Sequence, residues 1–135
     1  MDSDLFPLQM KPDWTLIANA TRARLLQQER GAPMVILESF IHPRGRGKLD
    51  AREDVHTEFA RELAHLLEQE AKLDHFRSLT IFASGPFLGE ICDELGSATQ
   101  SRMIGTHELD LTGFGPSELE ERIAHELASH GELIH

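Results

Sequence analysis

The chain has 135 residues, 40% of them hydrophobic and 27% charged, which is enough for one continuous core and too few for a second domain. Thirteen Lys and Arg face 23 Asp and Glu, and the formal charge of −10 works against indiscriminate binding to phosphate backbones or to an anionic membrane. The single cysteine, Cys92, excludes an internal disulfide and a cysteine-rich zinc site.

No apolar run approaches the roughly 20 residues needed to cross a bilayer. Asp2 and Asp4 stand where a secretory signal would carry basic residues. Residues 1–12 are therefore expected to form a short N-terminal arm and 13–135 a single domain, located in the cytoplasm and without membrane insertion.

Trp14 to Ala20 reads as a strand with Trp14, Leu16 and Ala18 on one face. A turn at Asn19 to Thr21 leads to a second strand, Arg22 to Gln28. Gly31, Ala32 and Pro33 break the pattern before a third strand, Met34 to Ile41. Its unbroken hydrophobicity predicts burial on both faces. Short connections favour an antiparallel meander of the three, and the second strand could pair across a dimer if it lies at an edge. His42 to Arg52, with Pro43, Gly45 and Gly47, reads as a loop.

Asp50 followed by Glu53 resembles an N-cap with its capping-box partner, and opens a helix from about Ala51 to Lys72. Val55, Phe59, Leu63, Leu66 and Leu67, with Ala60, recur at spacings of three and four and form its buried stripe. Leu79 to Ala83 is a short strand. Gly85 and Pro86 open a second helix with Leu88, Ile91, Cys92 and Leu95 inward, closed by Gly96. Arg102 to Leu109 predicts a fifth strand. Gly115, Pro116 and Ser117 begin a last helix carrying Leu119, Ile123 and Leu127, closed by Gly131, with Glu118, Glu120 and Glu121 near its positive end.

The predicted order is βββαβαβα: an α/β fold with a five-stranded mixed sheet, the later strands adding in parallel through crossovers. That order is shared with ribonuclease H-like folds and with the middle domain of class I archaeal and eukaryotic release factors. Fold analogy does not transfer an activity.

No complete catalytic motif is present, so the chain reads as a binding module rather than an enzyme, and no cofactor is implied. A two-metal nuclease needs clustered carboxylates. Asn19 stands where the first strand would supply one, and Ala83 and Ser84 end the fourth strand without another, leaving only Glu108 and Asp110. The eight histidines form no helical metal-binding pattern, and no metal ligand is assigned. Ser84-Gly85-Pro86 could hold an anion at a helix start, or simply start the helix.

The distinctive chemistry is a basic island. Arg44, Arg46, Lys48 and Arg52 lie within nine residues, jointed by Gly45 and Gly47, with Asp50 as the one acid among them. Arginine forks match phosphate oxygens in pairs. The segment is either a phosphate- or RNA-binding loop or a plain solvated one. Arg22 and Arg24 extend that basic surface or form the polar side of a sheet.

Several strings carry a resemblance. Trp14-Thr15-Leu16-Ile17-Ala18-Asn19-Ala20 with Arg22-Ala23-Arg24-Leu25 resembles the opening of the bacterial "protein required for attachment to host cells" family. Phe59-Ala60-Arg61-Glu62-Leu63-Ala64, Pro86-Phe87-Leu88-Gly89-Glu90, Leu109-Asp110-Leu111-Thr112 and Leu119-Glu120-Glu121-Arg122 are similar to its later parts. The likeness runs from about Asp13 to Leu127 and implies a release-factor-like fold. In the release-factor middle domain, the loop between third strand and first helix carries Gly-Gly-Gln and reaches the peptidyl transferase centre. The corresponding Arg44-Gly45-Arg46-Gly47-Lys48 keeps two glycines and has no glutamine. The resemblance thus implies a non-catalytic module contacting ribosomal or other structured RNA through Arg44, Gly45, Arg46, Gly47, Lys48 and Arg52. The alternative is a protein-interaction factor in an attachment or surface-biogenesis pathway. Oligomeric state is left open.

Overall fold

The computed structural model describes residues 11–41 and 52–129, with side chains described for 11–41 and 57–128. Five strands, β1 (Asp13–Ala18), β2 (Arg22–Gln28), β3 (Val35–Ile41), β4 (Ser78–Ala83) and β5 (Met103–Glu108), form one sheet in the order β3-β2-β1-β4-β5. The helices are α1 (Arg52–Lys72), α2 (Gly85–Glu94), the single turn α3 (Ser97–Gln100) and α4 (Pro116–Ser129). β1 pairs antiparallel with β2 and β2 with β3, whereas β1–β4 and β4–β5 are parallel. The expected five-stranded mixed sheet is therefore the observed one. No helix among the described residues is long and apolar enough to cross a membrane.

Period-two alternation along the central strands divides the interior into two cores, one on each face. Trp14, Leu16 and Ala18 of β1 join Leu25, Leu79 and Ile81 against Phe59, Leu63 and Leu67 of α1 and Phe87 and Ile91 of α2. Ile17, Leu26 and Phe82 point the other way, onto Leu111, Leu119 and Ile123 of the α4 side. Trp14 stacks on Phe76 at 4.5 Å between ring centroids, and its indole N–H donates to Gln27 Oε1 at 3.0 Å. The aromatic thus buries its ring while its polar atom keeps a partner.

One expectation fails. β3 was predicted to be buried on both faces, yet it is the outermost strand, with Val35 48%, Ile36 37%, Leu37 42% and Ile41 80% exposed. β2, which the dimer idea required at an edge, lies inside between β1 and β3. A continuous apolar run is compatible with a central strand or an edge strand, and local hydrophobicity cannot separate the two. The β2–β3 ladder also slips once: Leu25 faces Glu38 and Leu26 faces Ile36, which leaves Leu37 as a bulge without a partner on β2.

The α1 stripe is observed at Phe59, Ala60, Leu63 and Leu67, while Leu66 is only partly buried and Val55 lies outside the described side chains. Asp50 lies outside the described residues, as does Gly131. Gly96 does not simply stop α2: it is the N-cap of α3, a helix without periodicity to announce it. Its role is set by Glu68 of α1. The Glu68 carboxylate accepts from the backbone N–H of Thr99 (2.9 Å) and of Ala98 (3.2 Å) and from the Thr99 hydroxyl (2.8 Å). The Thr99 backbone N–H leads in holding this carboxyl below its usual range, against the opposing effect of desolvation. A Cβ on Gly96 would lie 2.3 Å from that carboxylate carbon, so the close approach requires glycine.

Ile81→Ala should cost about 2–5 kcal/mol, because Ile81 is fully buried in the sheet and its removal leaves a cavity. Ile104→Ala, the same change at a residue that is 53% exposed on edge strand β5, should cost less than about 1 kcal/mol. Urea unfolding of both variants measures the difference.

Candidate functional site

Because β1, β4 and β5 run parallel, their carboxyl ends, Ala18, Ala83 and Glu108, lie along one edge of the sheet. β3 finishes there too: Ala18 faces Ala23 on β2, and the adjacent Arg22 faces Ile41. The carboxyl edge of an open α/β sheet is where ligands habitually bind, since loops rather than hydrogen-bonded strands occupy it. β3 ends at this edge with Ile41, and the next described residue is Arg52, the first of α1. The predicted site residues Arg44, Gly45, Arg46, Gly47 and Lys48 lie outside the described residues, and the side chain of Arg52 is likewise undescribed. The fold positions the two anchors of that segment.

At the same edge the described residues build a polar clasp that sequence reasoning did not assemble. Asn19 Nδ2 donates to Asp110 Oδ2 and to Thr112 Oγ1, both at 3.0 Å. Its Oδ1 accepts from the backbone N–H of Thr21 (2.9 Å) and of Arg22 (3.0 Å) and from the Thr21 hydroxyl (3.0 Å). One amide therefore shapes the β1–β2 turn and grips the loop after β5. Asp110 in turn accepts from the Thr112 backbone N–H at 2.9 Å and from its hydroxyl at 2.6 Å. Partial desolvation alone would raise the Asp110 carboxyl. The Thr112 hydroxyl, Asn19, the Thr112 N–H and the charge of Arg22 outweigh it and leave it lowered.

Arg24, one of two arginines considered as extra basic surface, is committed elsewhere: its guanidinium donates to the Phe114 carbonyl at 2.8 Å. Arg22 is exposed and supplies positive charge beside Asp110. The only hint of the clasp in the sequence was an asparagine where an acid would serve metal chemistry.

The start of α2 offers little to an external anion. Glu108 lies against Gly85 so closely that an added Cβ would meet its Oε2 at 2.6 Å. The chain's own carboxylate thus sits at the positive end of the helix. Pro86 lacks an N–H, and the Ser84 side chain makes no cap hydrogen bond. Among the described residues, no group of three or more His, Cys, Asp or Glu could hold a metal ion. His107 is buried and stacks on Phe82 at 4.6 Å, His75 pairs with Glu70, and His65 and His125 are exposed. Cys92 is half-buried; burial, then Asp93, raises its thiol and leaves it a poor nucleophile. A cleft of about 230 Å³ lies at the opposite end of β1, lined in part by Asp13, Glu29, Arg30 and Arg77, and its Arg77 is held by Asp13 at 2.9 Å.

Residues 41–123, more than half of the chain, match the family model described as bacterial archaeo-eukaryotic release factor family 12. The matched span includes the basic segment and both its anchors. Among solved structures, the chain is similar to the archaeal translation termination factor aRF1, with 11% identity and a TM-score of 0.52, over 96% of this chain and 44% of that one. It is also similar to a structure described as ribosome-bound archaeal Pelota and ABCE1, with 15% identity and a TM-score of 0.59, over 93% of this chain and 34% of that one. At these identities the likeness is one of fold, and the chain spans less than half the length of either structure's chain. Comparison with curated proteins gives no match.

Asn19→Ala should destabilise the protein by about 1–3 kcal/mol at pH 7, since it strips partners from Asp110, Thr112 and the turn N–H groups at once. The lowered Asp110 carboxyl adds a pH signature. Its ionised form is favoured by the fold, so its contribution is complete above the ordinary carboxylate range. That contribution disappears as pH falls through the lowered value, below roughly pH 4. Asp110→Asn should therefore be less stable than wild type at pH 7 and approach it in acid, as measured by denaturant unfolding across pH.

Proposed function

Since the chain belongs to bacterial archaeo-eukaryotic release factor family 12, we propose that it is a release-factor-like binding module that contacts ribosomal or other structured RNA through Arg44, Gly45, Arg46, Gly47, Lys48 and Arg52. The observation that carries this reading is positional. The one cation-rich, glycine-jointed stretch of an acidic chain joins β3 to α1 at the carboxyl edge of the sheet. Guanidinium groups there would pair with phosphate oxygens in bidentate fashion, and the glycines would let the backbone approach closely. The rest of the surface, with its excess of acids, would repel nucleic acid and confine contact to this segment.

No hydrolytic step is assigned to the loop. It carries no glutamine, and Asn19, Asp110 and Thr112 at this edge are tied to one another instead of being aimed outward as an acid–base pair. Binding without chemistry is the reading that these residues support.

A second reading, a protein-interaction factor in an attachment or surface-biogenesis pathway, is favoured by a different observation, the exposed apolar strand β3. Under that reading the basic segment is a solvated surface loop.

Sucrose-gradient fractionation separates the two. Wild-type protein should co-sediment with ribosomes at low salt and be released as salt rises. Arg44→Glu with Arg46→Glu should weaken association at least tenfold and reduce the salt slope by about two phosphate contacts. Unchanged sedimentation of the double variant would refute RNA contact through this segment.

A further inference from the structure

We propose that strand β3 is a self-pairing edge, on which a second copy of this chain docks antiparallel to extend the sheet across a two-fold axis. Three features of the strand point there. It is the outermost strand next to β2, so among the described residues alternate backbone N–H and C=O groups on its far side have no strand partner. Val35, Ile36, Leu37 and Ile41 are between 37% and 80% exposed, so the apolar surface lies on the edge itself. Finally, Glu38 is the only ionic side chain between Val35 and Ile41, and the strand contains no lysine or proline, the usual devices that blunt an open edge.

The choice of a second copy over an unrelated protein rests on area and charge. Four aliphatic side chains this exposed present on the order of 350 Å² of apolar surface per copy, comparable to the largest patch on an ordinary monomer. A two-fold contact uses the patch twice, and with the paired backbone and polar neighbours it buries about 1,000 Å² in all, near the lower limit for a specific interface. The chain carries a net charge of −10, which opposes most ways of bringing two copies together. β3 itself adds little to it, with Glu38 as its one charge among seven residues.

The ladder selects a register as well. Glu38 and Phe40 face Leu25 and Ala23 and share the α1 side of the sheet, whereas Ser39 faces Arg24 on the other side. A two-fold centred on Ser39 sets Glu38 opposite Phe40 of the other copy and avoids opposing the two glutamates directly. It also brings Ile41, the most exposed aliphatic, opposite the bulged Leu37 of its mate.

This inference does not depend on RNA contact, and sedimentation analysis of the full chain tests it separately. Wild-type protein should sediment at twice the 15.2 kDa monomer mass in the micromolar range. Ile41→Lys should raise the dimer dissociation constant at least tenfold with an unchanged circular dichroism spectrum. Ile104→Lys, on the other edge strand, should leave the dimer intact. Should Ile41→Lys alter the spectrum, Leu37→Thr, a milder change at the bulge, should raise the constant instead. A wild-type monomer at every concentration overturns the proposal, as does a dimer indifferent to both β3 variants or one dissociated by Ile104→Lys. A monomer would mean that the edge is covered from within the chain or by a different protein.

Discussion

The pairing of β1 with two neighbours of opposite sense is the constraint from which the rest of the molecule follows. β1 is antiparallel to β2 and parallel to β4, and residues 14–18 of its six are all buried. Its alternation divides the interior between an α1–α2 core and an α4 core, since Leu16 and Ala18 face one way and Ile17 the other. A one-residue slip would turn every one of these side chains to the wrong face, so two independent cores hold the register. The same strand delivers Asn19 to the carboxyl edge, beside the end of β4 and the beginning of β2. Fold and site geometry share this one placement.

Polar groups finish what the cores begin. Asn19, Arg24 and Asp110 tie the β1–β2 turn to the loop entering α4, and Glu68 holds the first turn of α3 onto α1. Both arrangements use side chains to satisfy backbone groups that neither helix nor ladder reaches, which is the requirement any partly buried connection must meet. At the carboxyl edge they leave Asn19, Asp110 and Thr112 engaged with one another. The sequence between β3 and α1, outside the described residues, is basic and contains Gly45 and Gly47.

Much of the fold was legible beforehand because its signals are local. β2 was read at its observed bounds, α1 and β5 to within a residue at each end, and the mixed sheet followed from short links among the first three strands and helical links afterwards. Phe59, Leu63 and Leu67 appeared at helical spacing and proved buried. α3 went unread because four residues leave no periodicity and its cap comes from Glu68, far away in the chain. β3 was misplaced for a related reason: its composition reports apolar side chains, whereas its environment depends on which strand lies beside it.

Residue chemistry alone determined the α/β order of elements and a basic, glycine-jointed segment set against an acidic whole. Those properties are sums and periods, and they need no knowledge of who touches whom. Tertiary structure alone decided that β3 is an open edge, that Arg24 is spent on a carbonyl, that Glu108 occupies the positive end of α2, and that Asn19 serves as a clasp. Each of these depends on two segments distant in sequence meeting within a few ångströms, and only strand order and register bring them there.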